Sequence, residues 1–330
     1  MDMSDAKVEP DLEDRGDVEP VGEKGTASLS SPPSPISARE QAIDVFCIGL
    51  NTVCTVALVF LNKKIFRDPQ LKQMQISFAM WHFACTAAVL WIASHRPFNL
   101  FTPVRLPFFQ MIPLCSFFAG FLILNNLSLT FNTVGFYQLA KIMTTPCVVF
   151  LNYVLFGKTI NLMTALTLLC VCFGVSLTNT QVAGSNPAGA TIAALAFTVT
   201  AVYQIWIGKK IKDFQVSSPQ LLMNQAPISV LLLAFLIPFF DTPADFRTVP
   251  EDSLVALFFS GIVASLLNLS QFLIIGRTSA VTFNVASNLK TVIIVTAGWI
   301  SDGKVLNLQD LFGITFAVGG AMAYSQLSQR

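Results

Sequence analysis

Ten long apolar stretches follow one another along this 330-residue chain, separated by short polar breaks. Inside a bilayer no water satisfies backbone N–H and C=O groups, so each crossing takes a hydrogen-bonded helix of about 20 residues. A composition of 53% hydrophobic and 12% charged residues, with mean hydropathy +0.63, lies outside the soluble balance. The stretches are 43–62, 75–93, 109–129, 134–156, 161–180, 189–208, 218–240, 253–275, 279–300 and 306–327. They predict an all-α membrane protein with ten transmembrane helices. Connections as short as Gly157 to Ile160 and Gly276 to Thr278 force their flanking helices to run antiparallel.

Residues 1–40 are different: ten acidic and four basic side chains, no aromatic residue, and the tract Ser28 to Ser37, SLSSPPSPIS. They read as a disordered acidic tail with candidate phosphorylation sites, ahead of a helical domain over 41–330. The tail lacks a basic segment followed by an apolar core, so the first span serves as the targeting signal. The tail carries −6 and the rest of the chain +7. An even number of spans puts both termini on one side. Loops on that side hold Arg96, Arg105, Lys158, Lys209, Lys210, Lys212 and Arg277, which marks it as cytosolic. Lys63, Lys64, Arg67 and Lys72 oppose this assignment from the other side. All seven cysteines fall within spans and read as packing residues, with no metal-site spacing.

Two lysines, Lys141 and Lys290, interrupt apolar stretches, where a charge costs about 2.5–3.5 kcal/mol on insertion scales. Within the ten stretches the only carboxylates are Asp44, at the start of the first, and Asp310, near the start of the last, both away from the stretch centres where the lysines lie. With no internal counter-ion, the two ammonium groups suit an anionic ligand, and a phosphate most simply. Polar groups gather beside them. Tyr137, Gln138, Thr144 and Thr145 lie three or four residues from Lys141, while Asn284, Ser287, Asn288 and Thr291 flank Lys290. His82 and His95 form no proton relay, which favours anion exchange over proton symport. No cluster of acidic metal ligands or paired histidines marks an enzyme, a metal centre or a cofactor, and nothing indicates nucleic-acid binding.

The chain also repeats itself. Phe156-Gly157-Lys158-Thr159-Ile160-Asn161 matches Asp302-Gly303-Lys304-Val305-Leu306-Asn307, and Gly174 matches Gly320 at the same offset. The halves are about 41–180 and 189–327. Five spans in each would invert the second half relative to the first and bring the two lysines toward one central cavity.

Three segments, in this order and spacing, resemble the nucleotide-sugar and triose-phosphate transporters of the drug/metabolite transporter superfamily. They are Leu61-Asn62-Lys63-Lys64, then Thr133-Val134-Gly135-Phe136-Tyr137-Gln138 with Lys141, and Thr278-Ser279-Ala280-Val281-Thr282 leading to Lys290-Thr291. The likeness spans roughly residues 41–327 and implies two inverted five-helix repeats around a cavity open alternately to either side. Lys290-Thr291 is similar to the Lys-Thr branch associated with UDP-sugars. The resemblance implies phosphate binding by Lys141, Lys290 and Thr291, with Tyr137, Gln138, Asn284, Ser287 and Asn288 in the cavity. It implies nucleobase recognition by Asn224 and Gln225, with Asn268 and Gln271 as weaker candidates. The function so implied is a Golgi antiporter, or one of the ER or vesicles, exchanging a UDP-galactose- or UDP-xylose-class sugar for UMP. The alternative is a sugar-phosphate or phosphoenolpyruvate exchanger using phosphate. A homodimer is compatible with either.

Overall fold

The computed structural model describes residues 38–66, 68–132, 137, 140–178, 187–301 and 308–328. Every regular element among them is α-helix: α1 Ala38–Ile65, α2 Pro69–Lys72, α3 Gln75–Ser94, α4 Phe108–Phe131, α5 Thr144–Phe156, α6 Leu162–Thr178, α7 Pro187–Asp213, α8 Ser218–Phe240, α9 Glu251–Arg277, α10 Ala280–Ser301 and α11 Leu308–Ser328. Helix ends lie within five residues of those expected, except in the fourth stretch. The acidic tail, except for Ala38 to Glu40 at the start of α1, and residues 302–307 lie outside the described residues.

Among the described residues six helices, namely α1, α3, α4, α7, α8 and α9, are long and apolar enough to cross a membrane. Three shorter apolar helices lie at Ala140–Phe156, Leu162–Leu177 and Leu311–Tyr324. Large apolar side chains such as Phe46, Phe60, Phe109, Phe235, Phe239 and Phe258 are exposed on the outside. Water would penalise such a surface, whereas lipid accommodates it. Within the described part of the stretch expected as one helix over 134–156, the helical hydrogen-bond ladder breaks at Met143, whose backbone stays in the right-handed helical region. Residues 140–142 are helical, Met143 is a turn, and α5 begins at Thr144. Pro146 explains the break, because it has no N–H for the Ile142 carbonyl and its ring crowds that carbonyl.

The bundle has two ends. At one, Arg277 at the end of α9 pairs with Asp44 on α1 at 2.6 Å, and Gln220 Nε2 donates to the Thr102 carbonyl at 2.8 Å. At the other, the Asp241 carboxylate caps α3, accepting from Ile76 N at 3.0 Å, Ser77 N at 2.6 Å and Ser77 Oγ at 2.7 Å. Lys64 and Asp252 pair there at 3.2 Å, both well exposed, which is worth little to stability.

Between the ends, α1 packs on α9, α4 on α7, α3 on α8 and α6 on α11. The α6–α11 crossing is close because each helix offers a glycine. A Cβ on Gly174 would run into the backbone of Ala317 and Gly313, and one on Gly320 would lie 3.0 Å from Thr167 O and Val171 N. The main core gathers Leu114, Phe118, Tyr203, Leu222 and Phe272, and a second cluster gathers Val171, Val175, Val285 and Ala317.

Candidate functional site

A cavity of about 340 Å³ lies among α4, Tyr137, residues 140–144, α7, α9 and α10. Each of the four helices contributes at least one polar residue. Asn125 and Asn126 come from α4, Thr200 and Gln204 from α7, Gln271 from α9, and Asn284, Ser287, Asn288 and Thr291 from α10. The last four, at intervals of three, four and seven, form one stripe facing the cavity. Among the described lining residues there is one cation, Lys141, and no carboxylate.

Lys141 is exposed, with its Nζ 5.6 Å from the centre of the Tyr137 ring and no ion-pair partner among the described residues. Several neighbours are already engaged. Asn284 Nδ2 donates to Gln204 Oε1 and, at 2.8 Å, to Ala280 O, while Asn288 Nδ2 donates to Thr145 Oγ1 at 3.0 Å. Thr291 Oγ1 donates to Ser287 O at 3.1 Å, and Asn125 Nδ2 to Thr200 Oγ1 at 3.1 Å. The Asn126 and Gln271 amides form no such bond among the described residues, leaving donors and an acceptor free for a ligand edge.

Lys290 does not line this cavity. It is only 7% exposed, and its Nζ donates to Asn51 Oδ1 and, at 3.2 Å, to Thr55 Oγ1, both on α1. The Phe283 ring, itself part of the cavity wall, has its centre 5.7 Å from this ammonium. Asn51 is held in turn by α9, donating to Ser270 Oγ at 2.8 Å and Leu267 O at 3.3 Å. The lysine therefore has neutral partners. Asn51 and Thr55 were not picked out in the sequence, although an Asn and a Thr four apart in an apolar helix were the available signal.

The two seventh-stretch amides are engaged away from this cavity. Asn224 holds the 100–107 connection, accepting from Leu106 N at 3.0 Å and donating to Val104 O at 2.7 Å and Gln220 O at 2.8 Å. Gln225 is fully buried and donates to the Tyr203 hydroxyl at 2.9 Å. Neither reaches the cavity wall, because their helix face is used against α7 and a loop. Asn268 donates to Thr86 Oγ1 at 3.1 Å. Gln138 lies outside the described residues. His82 contacts Ser260 Oγ at 3.1 Å as a helix-to-helix bond.

Beyond the Gln204–Asn284 pair is a second cavity of about 590 Å³, which shares Gln204 with the first. Lys158, Lys209 and Lys212 line it, together with Asp213, and the lysines form no ion pair among the described residues. Lys158 and Lys209 flank one ring, Phe156, at 5.7 and 5.6 Å.

The model of the triose-phosphate transporter family matches residues 45–325, nearly the whole described bundle. The chain belongs to the triose-phosphate transporter family. Its relatives include UDP-xylose transporter 3 of Arabidopsis thaliana, 31% identical with 84% of this chain and 78% of that one covered. UDP-rhamnose/UDP-galactose transporter 2 of the same plant is 29% identical, covering 86% and 82%. A protein of known crystal structure shares the fold with a TM-score of 0.67 at 15% identity, over 89% of this chain and 99% of that one. This family member is therefore a multi-pass membrane transporter and not an enzyme.

Proposed function

We propose that the chain is a nucleotide-sugar antiporter, taking a UDP-sugar of the xylose or galactose class and returning UMP by alternating access. The observation that carries the reading is Lys141, an ammonium with no ion-pair partner among the described residues, in a cavity whose other described lining residues are uncharged. A phosphate oxygen is its natural partner. The names of the relatives supply the nucleotide-sugar class. In this reading Thr291, Ser287 and Tyr137 border the phosphate, Lys290 joins it on binding, and Asn126 and Gln271 meet the uracil edge. This replaces the base-recognition role expected of Asn224 and Gln225.

Ten spans in two inverted halves, with both termini cytosolic in a Golgi-type membrane, complete the proposal. The packing supports the inversion. Exchanging the five helices of each half in order turns the α1–α9 contact into α7–α4 and leaves α3–α8 and α6–α11 unchanged. The test is exchange in liposomes preloaded with UMP, GMP, CMP or phosphate and offered labelled nucleotide sugars or triose phosphate. UMP-driven uptake of a UDP-sugar, lost in Lys141→Ala, is the expected result. Uptake driven by phosphate alone would move the assignment to sugar-phosphate exchange.

A further inference from the structure

We propose that Asn51 and Thr55 are positioning residues that cradle Lys290 while the site is empty and compete with the ligand's phosphate for its ammonium. The proposal rests on the anion-exchange reading above and adds to it two residues on α1. A buried ammonium without partners is too costly to persist, so Lys290 must always be bound to something. In the structure that partner is Asn51 Oδ1 and Thr55 Oγ1. The Asn51 amide can sit only one way round, because the ammonium only donates and the Leu267 carbonyl only accepts. The Thr55 hydroxyl donates to Asn51 O at 2.7 Å, so its lone pairs face the lysine. The bonds to Leu267 O and Asn51 O thus turn both acceptor oxygens toward the ammonium.

Its placement gives it a consequence. Lys290 is on α10 in the second half of the chain and the cradle is on α1 in the first, so the bond ties the halves together. Separating α10 from α1 with the site empty would strip the ammonium of both partners. A phosphate in the cavity offers replacement acceptors and releases the tie. Movement is then coupled to occupancy, as exchange requires.

The experiment compares Asn51→Ala, Thr55→Val and Asn51→Asp with the unmodified full-length protein in liposomes. KM and kcat of exchange and efflux into ligand-free buffer are recorded, using whichever of UMP or phosphate the unmodified protein exchanges. Thr55→Val leaves the Asn51 bonds to α9 intact, so it tests the cradle without disturbing that contact. Asn51→Asp replaces a neutral acceptor with a charged one, which holds the lysine more firmly, and KM should rise about tenfold or more with kcat recovered at high ligand. Asn51→Ala and Thr55→Val weaken the cradle. They should lower KM a few-fold and raise efflux without counter-ligand, even where Asn51→Ala lowers thermal stability. A role in packing alone predicts no such opposition of sign. Unchanged KM and efflux in all three, with exchange intact in the unmodified protein, would overturn the cradle and leave the antiporter reading standing. Absence of any anion exchange or phosphate-induced thermal stabilisation in the unmodified protein would overturn both.

Discussion

Adjacent glycines on α11 should respond to alanine in opposite ways. Gly319 faces outward with nothing within 4 Å of an added Cβ, whereas Gly320 meets Thr167 O, Val171 N and Val171 Cγ2 at 3.0 Å. Both replacements gain the helix preference of alanine over glycine, about 0.5–1 kcal/mol. The difference between them therefore isolates the steric cost at the α6–α11 crossing. Two of the three atoms near Gly320 are backbone, which cannot rotate aside, so the helices must part by a few tenths of an ångström. Overpacking of this kind costs about 1–3 kcal/mol. Gly319→Ala should thus be neutral or slightly stabilising, Gly320→Ala net destabilising, and Gly174→Ala worse still, since its Cβ would enter the Ala317 backbone. Thermal unfolding of the detergent-purified proteins, followed by intrinsic fluorescence, ranks them. Equal melting temperatures for Gly319→Ala and Gly320→Ala would refute the close crossing.

Asn224→Leu should reduce thermal stability, since it removes the Asn224 side-chain bonds that hold the 104–106 segment, without altering preference among UMP, GMP and CMP. Competition assays on the purified variant check this, and a changed base preference would return Asn224 to the ligand. Replacing Lys158, Lys209 and Lys212 together by glutamine should raise KM for uptake from that side at low salt. The gap from the unmodified protein should close as ionic strength rises and the Debye length falls from about 10 Å at 0.1 M to about 3 Å at 1 M. A salt-independent difference would mean the lysines act on folding or topology instead.

Helix placement was legible because lipid imposes one strong rule on every residue of a span, and that rule needs no knowledge of neighbours. The stretch over 218–240 is recovered residue for residue in α8. Partners are another matter. Asn224 and Gln225 are adjacent, so their side chains point about 100° apart, and which neighbours they meet depends on a loop 118 residues away and on Tyr203 of α7. The same rotation separates Lys290 from Thr291: the threonine borders the cavity while the lysine turns to α1. The break before α5 could have been read from Pro146, but an unbroken apolar run masks a missing backbone donor.

That break has a mechanical meaning. In a continuous helix, moving Lys141 relative to α5 would rupture successive backbone bonds. Here the Pro146 ring has already removed the bond to the Ile142 carbonyl, and the ladder resumes with Cys147 N on Met143 O at 3.1 Å. Residues 140–142 and α5 are joined through a pivot whose stiffness was surrendered in the sequence. In the antiporter reading proposed above, that pivot lets the Lys141 ammonium shift while α5, held through Thr145 to Asn288, stays where it is.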